Sequence, residues 1–295
     1  MTPRVSRIRV APGVVLHVRT WQPPGPPGPC GARRAAAGAE ATSPPFLLVH
    51  GLASNCRTWD GVAARLVDLG HPVAAVDLRG HGQSDKPDDG YDFATMGDDL
   101  LAVIDDLGWE RPVVAGQSMG GNLVVALSAR ATTRFAGVVG VDGGAFDLRR
   151  RWPRWDECAE ALAPPHLEGT PADVMEQHLR AAHPDWSNDG VAASMANFET
   201  RPDGTIRPWL TRERHMRVLR ALWEHRPVRD FARIAVPATL VLADTGDEWA
   251  ANKGAEAARA VAALPRLDVR WFSPADHDVH VQHPDELAEL FDQRF

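Results

Sequence analysis

The sequence predicts an α/β fold in which helices cover both faces of a mostly parallel sheet. The first observation is that short, valine- and leucine-rich runs alternate with longer segments whose apolar residues recur at helical spacing. Repeated strand-then-helix units form parallel sheets, because a crossover helix must connect neighbouring parallel strands. The second observation is that polar residues follow the ends of the apolar runs, where such sheets bind ligands. These residues are His50, Asp77, Ser118, Asp142 and Asp247.

The N-terminal region predicts two strands followed by an insertion. Val5 to Arg9 and Val14 to Trp21 are separated by an Ala-Pro-Gly turn. Residues 22–45 contain a proline- and glycine-rich run and then an alanine- and glycine-rich run. We expect this insertion to be flexible, because its composition offers little to a packed core.

From residue 46 the pattern of strands and helices is regular. We expect strands at 46–49, 72–76, 112–115 and 137–141, and helices at 57–69, at 93–107 and directly after Ser118. The pattern resumes near the C-terminus with a strand at 238–242, a helix at 252–263, a strand at 267–272 and a helix at 284–291.

Residues 145–229 interrupt this pattern, and we call them the cap segment. They are rich in proline, tryptophan, arginine and histidine, with helical patches but no clear strand. We expect a cap or lid inserted into a core formed by residues 1–144 and 230–295. Its five tryptophans either anchor helices to the core or give the site an apolar, aromatic roof. They are Trp152, Trp155, Trp186, Trp209 and Trp223.

The composition excludes several classes of function. A net charge of −7 over 295 residues argues against a nucleic-acid surface. No stretch approaches the ~20 apolar residues of a membrane span, and the N-terminus lacks the apolar core of a signal peptide. Cys30, Cys56 and Cys158 show no metal or disulfide spacing. We therefore expect a reduced, cytoplasmic protein without a disulfide framework or a zinc site; the sequence leaves its oligomeric state open.

The segment Gly116-Gln117-Ser118-Met119-Gly120 is a G-x-S-x-G motif between an apolar run and a helical stretch. On a sharp strand-to-helix turn, this motif presents a serine hydroxyl as a nucleophile. Glycines allow the helix to start close to the strand while the serine adopts a strained backbone. The N–H of Met119 then lies at a helix N-terminus beside the hydroxyl, where it can stabilise an oxyanion.

With three further motifs, the chain resembles the α/β-hydrolases of the esterase, lipase and haloperoxidase-like group. The motifs are Val49-His50-Gly51-Leu52, the run from Asp77 to Ser84, and the tail from Asp276 to Pro284. The resemblance implies an eight-stranded sheet with an antiparallel N-terminal strand and a helical cap after the sixth strand. It also implies a cofactor-free Ser-His-Asp triad, with the Leu52 and Met119 N–H groups as the oxyanion hole. His50, Arg79, His81 and Ser84 are then expected to be structural.

The nucleophile needs a histidine base, which in this family follows it near the C-terminus. We expect His277, which comes soon after the strand at 267–272 and precedes Pro284 at the family spacing. His280 and His283 are its rivals. The three histidines also have an H-x-x-H-x-x-H spacing, but a metal site is disfavoured because one of them is needed as the base.

The acid that orients the histidine is expected just beyond the strand at 238–242. The resemblance implies Asp247 there, ahead of Asp244 and Glu248. Asp142, which follows the preceding strand, is the second choice.

Two carboxylates flank the predicted base. Asp276 stands where relatives commonly have glycine, and Asp278 follows His277. Either both face solvent, or they raise the pKa of His277 by charge proximity, so that activity requires a higher pH.

The predicted function is cleavage of a carboxylic ester, lactone or thioester of a largely apolar acyl group through an acyl-enzyme. A serine at position 118, where haloalkane and epoxide chemistry uses aspartate, argues against those reactions. A C–C bond hydrolase or a haloperoxidase-like perhydrolase would use the same triad, and a ligand-binding receptor would keep only the fold. Five cap residues are candidates for contact with a polar or acidic group of the substrate, and the sequence does not choose among them: Arg149, Arg150, His178, Arg214 and His215.

Overall fold

The structure is a computed structural model that describes residues 2–24, 43–246 and 248–295. The insertion expected at 22–45 lies mostly outside the described residues, and so does Asp247.

Ten strands occur in the described residues, and eight of them form one sheet. In chain order the strands are β1 (Arg4–Ala11), β2 (Val14–Trp21), β3 (Phe46–Val49), β4 (Val73–Val76), β5 (Val113–Gln117), β6 (Gly137–Val141), β7 (Phe198–Thr200), β8 (Ile206–Pro208), β9 (Ala238–Ala243) and β10 (Asp268–Phe272). The large sheet has the order β1-β2-β4-β3-β5-β6-β9-β10. Strand β2 pairs antiparallel with β1 and β4, and the pairs from β4 to β10 are parallel. The predicted fold class is therefore confirmed.

Helices cover both faces of this sheet. In chain order they are α1 (Asp60–Asp68), α2 (Phe93–Asp106), α3 (Met119–Arg130), α4 (Leu148–Arg151), α5 (Trp155–Ala161), α6 (Ala172–Ala182), α7 (Asn188–Met195), α8 (Arg212–Glu224), α9 (Pro227–Phe231), α10 (Glu248–Ala263), α11 (Val279–Gln282) and α12 (Pro284–Arg294). Helices α2, α3 and α10 bury apolar residues against one face, with Leu47 and Val49 of β3. Helices α1 and α12 pack on the other face with Phe46 and Leu48. The alternation along β3 explains why its four residues are all apolar.

The cap segment departs from the sequence prediction at one point. It contains α4 to α8 and the start of α9, but also a two-stranded antiparallel hairpin of β7 and β8. Each of these strands has three residues, which is too short for an alternating pattern to be recognised in the sequence. None of the described helices is both long and apolar enough to cross a membrane.

Candidate active site

Ser118 lies between β5 and α3 in a strained backbone conformation, with φ 53° and ψ −120°. The neighbouring glycines make this turn possible. A Cβ on Gly116 would lie 2.2 Å from the Gly120 carbonyl oxygen, and one on Gly120 would lie 2.4 Å from the His50 carbonyl oxygen. Strand, turn and helix thus approach more closely than any side chain permits, as expected for a nucleophile elbow.

Two backbone donors lie near this turn. Met119 is the first residue of α3, and Leu52 follows the end of β3 and lines the same cavity as Ser118. Within the described part of the chain, neither N–H donates to another group. Within the described residues, both N–H groups are therefore unused as donors, as N–H groups at a helix start commonly are.

His277 lies on the loop between β10 and α11, and it also lines the cavity beside Ser118. Its Nδ1 is 2.6 Å from Asp142 Oδ2. The backbone carbonyl of His277 accepts a hydrogen bond from Gln117 Nε2 at 3.1 Å, which ties the loop to the residue before the serine. The imidazole remains 48% exposed, so it combines a fixed position with access to the cavity.

Asp142 follows β6 directly and has a positive φ of 39°. Its side chain is fully buried. Oδ1 accepts the Ala243 N–H at 2.9 Å, while Oδ2 contacts both His277 and the Lys253 ammonium, the latter at 2.8 Å. Burial alone would raise the pKa of Asp142, but its hydrogen bonds and charge interactions with His277 and Lys253 lower it.

The other acid candidates have different environments. Asp244 accepts hydrogen bonds from Gly246 N–H and Ser273 Oγ, and Glu248 is exposed in the first turn of α10. Asp247 lies outside the described residues, so its prediction as the acid stays a prediction. In the described residues, the carboxylate that accepts from the His277 ring is Asp142, the second choice from the sequence.

Among the described residues, no carboxylate bonds the ring of either rival histidine. His280 is fully buried against Trp59, with ring centroids 4.5 Å apart, and neither of its ring nitrogens has a hydrogen-bond partner among the described residues. Burial lowers its pKa to about 3. His283 packs against Phe272. Among the three, His277 is the one that lines the cavity with Ser118.

The electrostatics of His277 combine opposing effects. Desolvation by the surrounding protein lowers the pKa of its imidazole, but the hydrogen bond with Asp142 and the charges of Asp278 and Asp142 raise it above its ordinary value overall. The Lys253 charge opposes this increase. Of the two flanking carboxylates, Asp278 therefore contributes to the raised pKa of His277.

Asp276 has a different role from the one that charge proximity suggested. Its Oδ2 accepts from His183 Nδ1 at 2.8 Å and from Trp186 Nε1 at 3.0 Å, both in the cap segment. Its Oδ1 accepts the Asp278 N–H at 2.9 Å. Asp276 therefore connects the cap segment to the loop that carries His277.

The polar residues around the DLRGHGQS motif hold loops together. His50 Nε2 accepts the Leu78 N–H at 3.0 Å, and Ser84 Oγ donates to the Asp77 carbonyl at 2.6 Å. Arg79 forms a buried bidentate pair with Asp99, at 2.6 and 2.7 Å. These contacts support the expected structural role of the motif.

Comparison with known proteins agrees with this geometry. Residues 44–284 match the family model of the alpha/beta hydrolase fold. This chain belongs to that family. The match runs from β3 through the serine turn to the start of α12, and it therefore includes Ser118, Asp142 and His277.

Individual relatives of this α/β-hydrolase match over shorter stretches. The AB hydrolase superfamily protein YisY of Bacillus subtilis is 42% identical over 86 residues, or 29% of this chain and 32% of that protein. Esterase YbfF of Escherichia coli is 32% identical over 152 residues, or 50% of this chain and 58% of that protein. These alignments span about a third to three fifths of the relatives' lengths.

Solved structures resemble the whole chain. The crystal structure of E-2-(acetamidomethylene)succinate hydrolase has a TM-score of 0.76, with 21% identity over 99% of this chain and 98% of that one. Likeness at this level of identity establishes a shared fold.

The cavity of this α/β-hydrolase beside Ser118 has a volume of about 430 Å³. Apolar side chains from the cap segment form much of its wall: Phe146, Leu148, Trp152, Leu162, Leu219 and Leu222. His215 is the one of the five polar cap candidates that lines it. Burial lowers the pKa of His215 to about 4, so at neutral pH this residue adds no charge.

Two other cap tryptophans anchor the cap segment instead of lining the cavity. Trp223 is buried and its Nε1 donates to the Trp152 carbonyl at 2.8 Å, and Trp186 is bound by Asp276. Arg214 reaches the Lys86 and Pro87 carbonyls instead of the cavity. These residues fasten the cap segment, while Trp152 contributes to the cavity wall.

One cluster among the described residues has the side chains of a metal site. The ligand atoms of His17, Cys56 and Asp77 lie within 4.8 Å of one another. However, each Asp77 oxygen already accepts a backbone N–H, from Cys56 at 2.7 Å and from Gln83 at 2.8 Å. Burial and the Asp77 charge raise the pKa of the Cys56 thiol well above its ordinary value, which disfavours the thiolate that binds metals. We interpret this cluster as a structural junction.

Lys253 is the residue at the site that sequence reasoning missed. It lies on α10, is 6% exposed, and contacts Asp142. The available signal was the rarity of lysine, since Lys86 and Lys253 are the two lysines in the sequence. That signal alone does not indicate a partner.

Proposed function

We propose that this protein is a cofactor-free serine hydrolase that cleaves carboxylic esters of apolar acyl groups. Ser118 is the nucleophile, His277 the general base and Asp142 the acid that orients it. The acid differs from the sequence expectation of Asp247. The observation that carries the proposal is the 2.6 Å contact between His277 Nδ1 and the fully buried Asp142 carboxylate. His277 also lines the same cavity as Ser118.

In the first half of the reaction, Ser118 Oγ attacks the ester carbonyl carbon and its proton passes to His277 Nε2. The carbonyl π electrons move to oxygen, and the Leu52 and Met119 N–H groups stabilise the resulting oxyanion. Asp142 holds the Nδ1–H tautomer and stabilises the imidazolium. When the tetrahedral intermediate collapses, the C–O bond breaks and His277 returns the proton to the leaving alkoxide.

In the second half, water attacks the acyl-enzyme. His277 takes one proton from the water, and the same two N–H groups stabilise the second oxyanion. Collapse of this intermediate releases the carboxylic acid and returns the proton to Ser118 Oγ. The cycle consumes one water and leaves the enzyme unchanged.

The cavity supports the substrate class. Its 430 Å³ are lined mainly by leucine, phenylalanine and tryptophan side chains, so burial of an apolar acyl or aryl group is favourable. Two side chains on its wall, Lys253 and His277, contact Asp142, and they lie at the end of the cavity where the proposed reaction takes place. As part of the proposal we place the protein in the cytoplasm, in keeping with the free, buried thiols of Cys56 and Cys158.

The test combines a mechanism-based probe with a substrate panel. A fluorophosphonate should label the wild-type protein at Ser118, and labelling should be lost in Ser118→Ala. The panel contains p-nitrophenyl esters from acetyl to decanoyl, an aliphatic lactone, a thioester and a vinylogous 1,5-diketone. We expect hydrolysis of the esters, with a preference for medium-length or aryl acyl groups.

Other outcomes would identify the alternatives. Cleavage of the diketone without the esters indicates a C–C bond hydrolase, and peracid formation from acetate and hydrogen peroxide at a rate above ester hydrolysis indicates a perhydrolase. A folded wild-type protein that is neither labelled nor active on any substrate contradicts the proposed hydrolase and favours a receptor. Ser128→Ala, which removes a buried hydroxyl on the far half of α3, is the matched control and should label normally.

A further inference from the structure

We propose that Lys253 is a positioning residue of the active site, which supplies the permanent counter-charge for Asp142 and fixes the carboxylate in the orientation that holds His277. The inference rests on the proposed function for its catalytic consequence, but the side-chain arrangement itself is independent of the substrate. It adds a fourth side chain, from α10, to the three that carry out the reaction.

The geometry gives Lys253 little freedom. Its Nζ is 2.8 Å from Asp142 Oδ2 and 3.0 Å from the Ala243 carbonyl oxygen, and the residue is 6% exposed. Ala243 also donates its N–H to Asp142 Oδ1. Lysine, carboxylate and the last residue of β9 thus form a closed set of contacts. This set fixes the plane of the carboxylate and points Oδ2 at both Nζ and the imidazole.

The contact with Lys253 gives the buried Asp142 carboxylate a positive partner in the resting enzyme. A fully buried carboxylate needs a cationic partner, because an unpaired buried charge is strongly unfavourable. If His277 were the only partner, the ion pair would favour its protonated form, and a protonated imidazole cannot accept the Ser118 proton. With Lys253 present, Asp142 stays ionised while His277 is neutral and ready to act as a base.

Other charged and titratable groups around the site also act on His277, so they influence how far its titration depends on Lys253. Asp278 lies beside His277 in the loop between β10 and α11, and Asp276 in that loop pairs with His183 of the cap segment. His280 of α11 is buried and neutral at ordinary pH. Asp147, Arg150, Arg151 and Glu256 line the neighbouring cavity that Lys253 also reaches. Among the described residues, Lys253 and His277 are the side chains within ion-pair distance of Asp142, and Lys253 carries a positive charge when His277 is neutral.

The experiment compares Lys253→Met, which keeps the length of the side chain without its charge, with Lys253→Arg, which keeps the charge. The readouts are the fluorophosphonate labelling rate as a function of pH, the NMR titration of the His277 ring, and Tm. In Lys253→Met we expect a tenfold to hundredfold lower labelling rate, about what a misplaced catalytic group costs. The acidic limb of the profile and the His277 titration should both move to higher pH, because a positive charge has been removed. Lys253→Arg should restore the position of the limb.

Lys86→Met is the matched control, since Lys86 is the other lysine and bonds the Gly82 and Ser84 carbonyls instead of a carboxylate. It should leave both titrations in place. The inference is overturned if Lys253→Met keeps the wild-type limb and His277 titration, even when its Tm and rate are lower, because a purely structural lysine would behave in that way.

The experiments distinguish an error in the proposed function from an error in the role of Lys253. A wild-type protein that the probe does not label contradicts the hydrolase mechanism. The NMR titration of His277 in Lys253→Met still tests the lysine in that case, because it requires no turnover. A shift to higher pH supports the counter-charge, and an unchanged titration refutes it.

Discussion

At the scale of single residues, the site brings together backbone strain and buried charge. Ser118 and Asp142 are two of the three described non-glycine residues with positive φ, and they are the two ends of the proposed triad. Left-handed conformations cost a non-glycine residue of order 1 kcal/mol or more, so the packing around each must maintain them. For Ser118 that packing includes the loop after Asp142, because a Cβ on Gly143 would lie 2.1 Å from the Ser118 carbonyl oxygen.

The identity of the acid is open to a direct test. Asp142→Asn should lower ester hydrolysis or fluorophosphonate labelling about a thousandfold, because an amide in that position no longer stabilises the imidazolium or its tautomer. Asp247→Asn should stay within about twofold of the wild type. The measurement is kcat/KM for each variant with the best ester of the panel. A large loss in Asp247→Asn with little change in Asp142→Asn would reverse the assignment.

The pH dependence follows from the charges next to His277. Its pKa is raised, so the free enzyme gains activity as the pH rises through a value above the ordinary one of about 6.5. Asp278→Asn removes a negative charge that favours the imidazolium, so the His277 pKa should fall and the acidic limb of kcat/KM should move to lower pH. The direction is opposite to the one expected for Lys253→Met. A limb that stays in place or moves upward would show that the Asp278 charge does not act on the base.

At the scale of elements, side chains that join the cap segment to the core determine the shape of the site. Asn122 of α3 bonds the Phe146 carbonyl and the Gly144 N–H, both at 2.8 Å, and so holds the loop between β6 and α4. Asn55 bonds the Ala193 carbonyl at 2.9 Å. Asp276, in the loop that carries His277, bonds His183 and Trp186 of the cap segment. The cavity wall is therefore held by polar contacts from several directions.

The Asp276 connection can be separated from the Asp278 charge. Asp276→Asn weakens two charge-assisted hydrogen bonds to His183 and Trp186, and because the site is partly exposed we expect a loss of about 1 kcal/mol of stability. Activity should fall because the histidine loop is less well held. The acidic limb should move much less than in Asp278→Asn. Denaturant unfolding and the pH profile measure the two effects, and a shift as large as that of Asp278→Asn would contradict the separation.

At the scale of the whole molecule, two apolar layers on either side of the sheet account for most of the buried side chains. The buried Arg79–Asp99 pair lies in addition to them and joins the loop after β4 to α2. Its side chains are 4% and 3% exposed. A pair of this kind adds little net stability over an apolar replacement, but loss of one partner leaves a buried charge without compensation.

The stability of the fold should therefore depend on keeping both members of this pair. Asp99→Ala should lower the free energy of unfolding by about 3–5 kcal/mol, measured by chemical denaturation. The double variant Arg79→Leu with Asp99→Leu should lose clearly less, because no isolated charge remains. Equal losses in the single and double variants would mean that packing, and not the unpaired guanidinium, determines the cost.

The sequence by itself determined the layers, the order of most strands and helices, the turn at Ser118 and the histidine after β10. Each of these depends on local patterns: apolar periodicity, the glycines at positions 116 and 120, and the position of a polar residue at a strand end. Each of these patterns involves residues that are close together in the chain, so a single sequence is enough to recognise it. The short hairpin in the cap segment was missed because its strands are too short to carry a pattern.

Only the tertiary structure decided which side chains meet across the sheet. Asp142 follows β6 and Asp244 follows β9, and these two strands are neighbours in the sheet. In the sequence, Asp247 comes three positions after Asp244. Which carboxylate reaches a histidine 135 positions away from Asp142 depends on loop shape and on the strained backbone at residue 142. The contact of Lys253 depends in addition on the packing of α10. Distances between such remote residues follow from the packing of the whole molecule, and no local pattern in the chain encodes them.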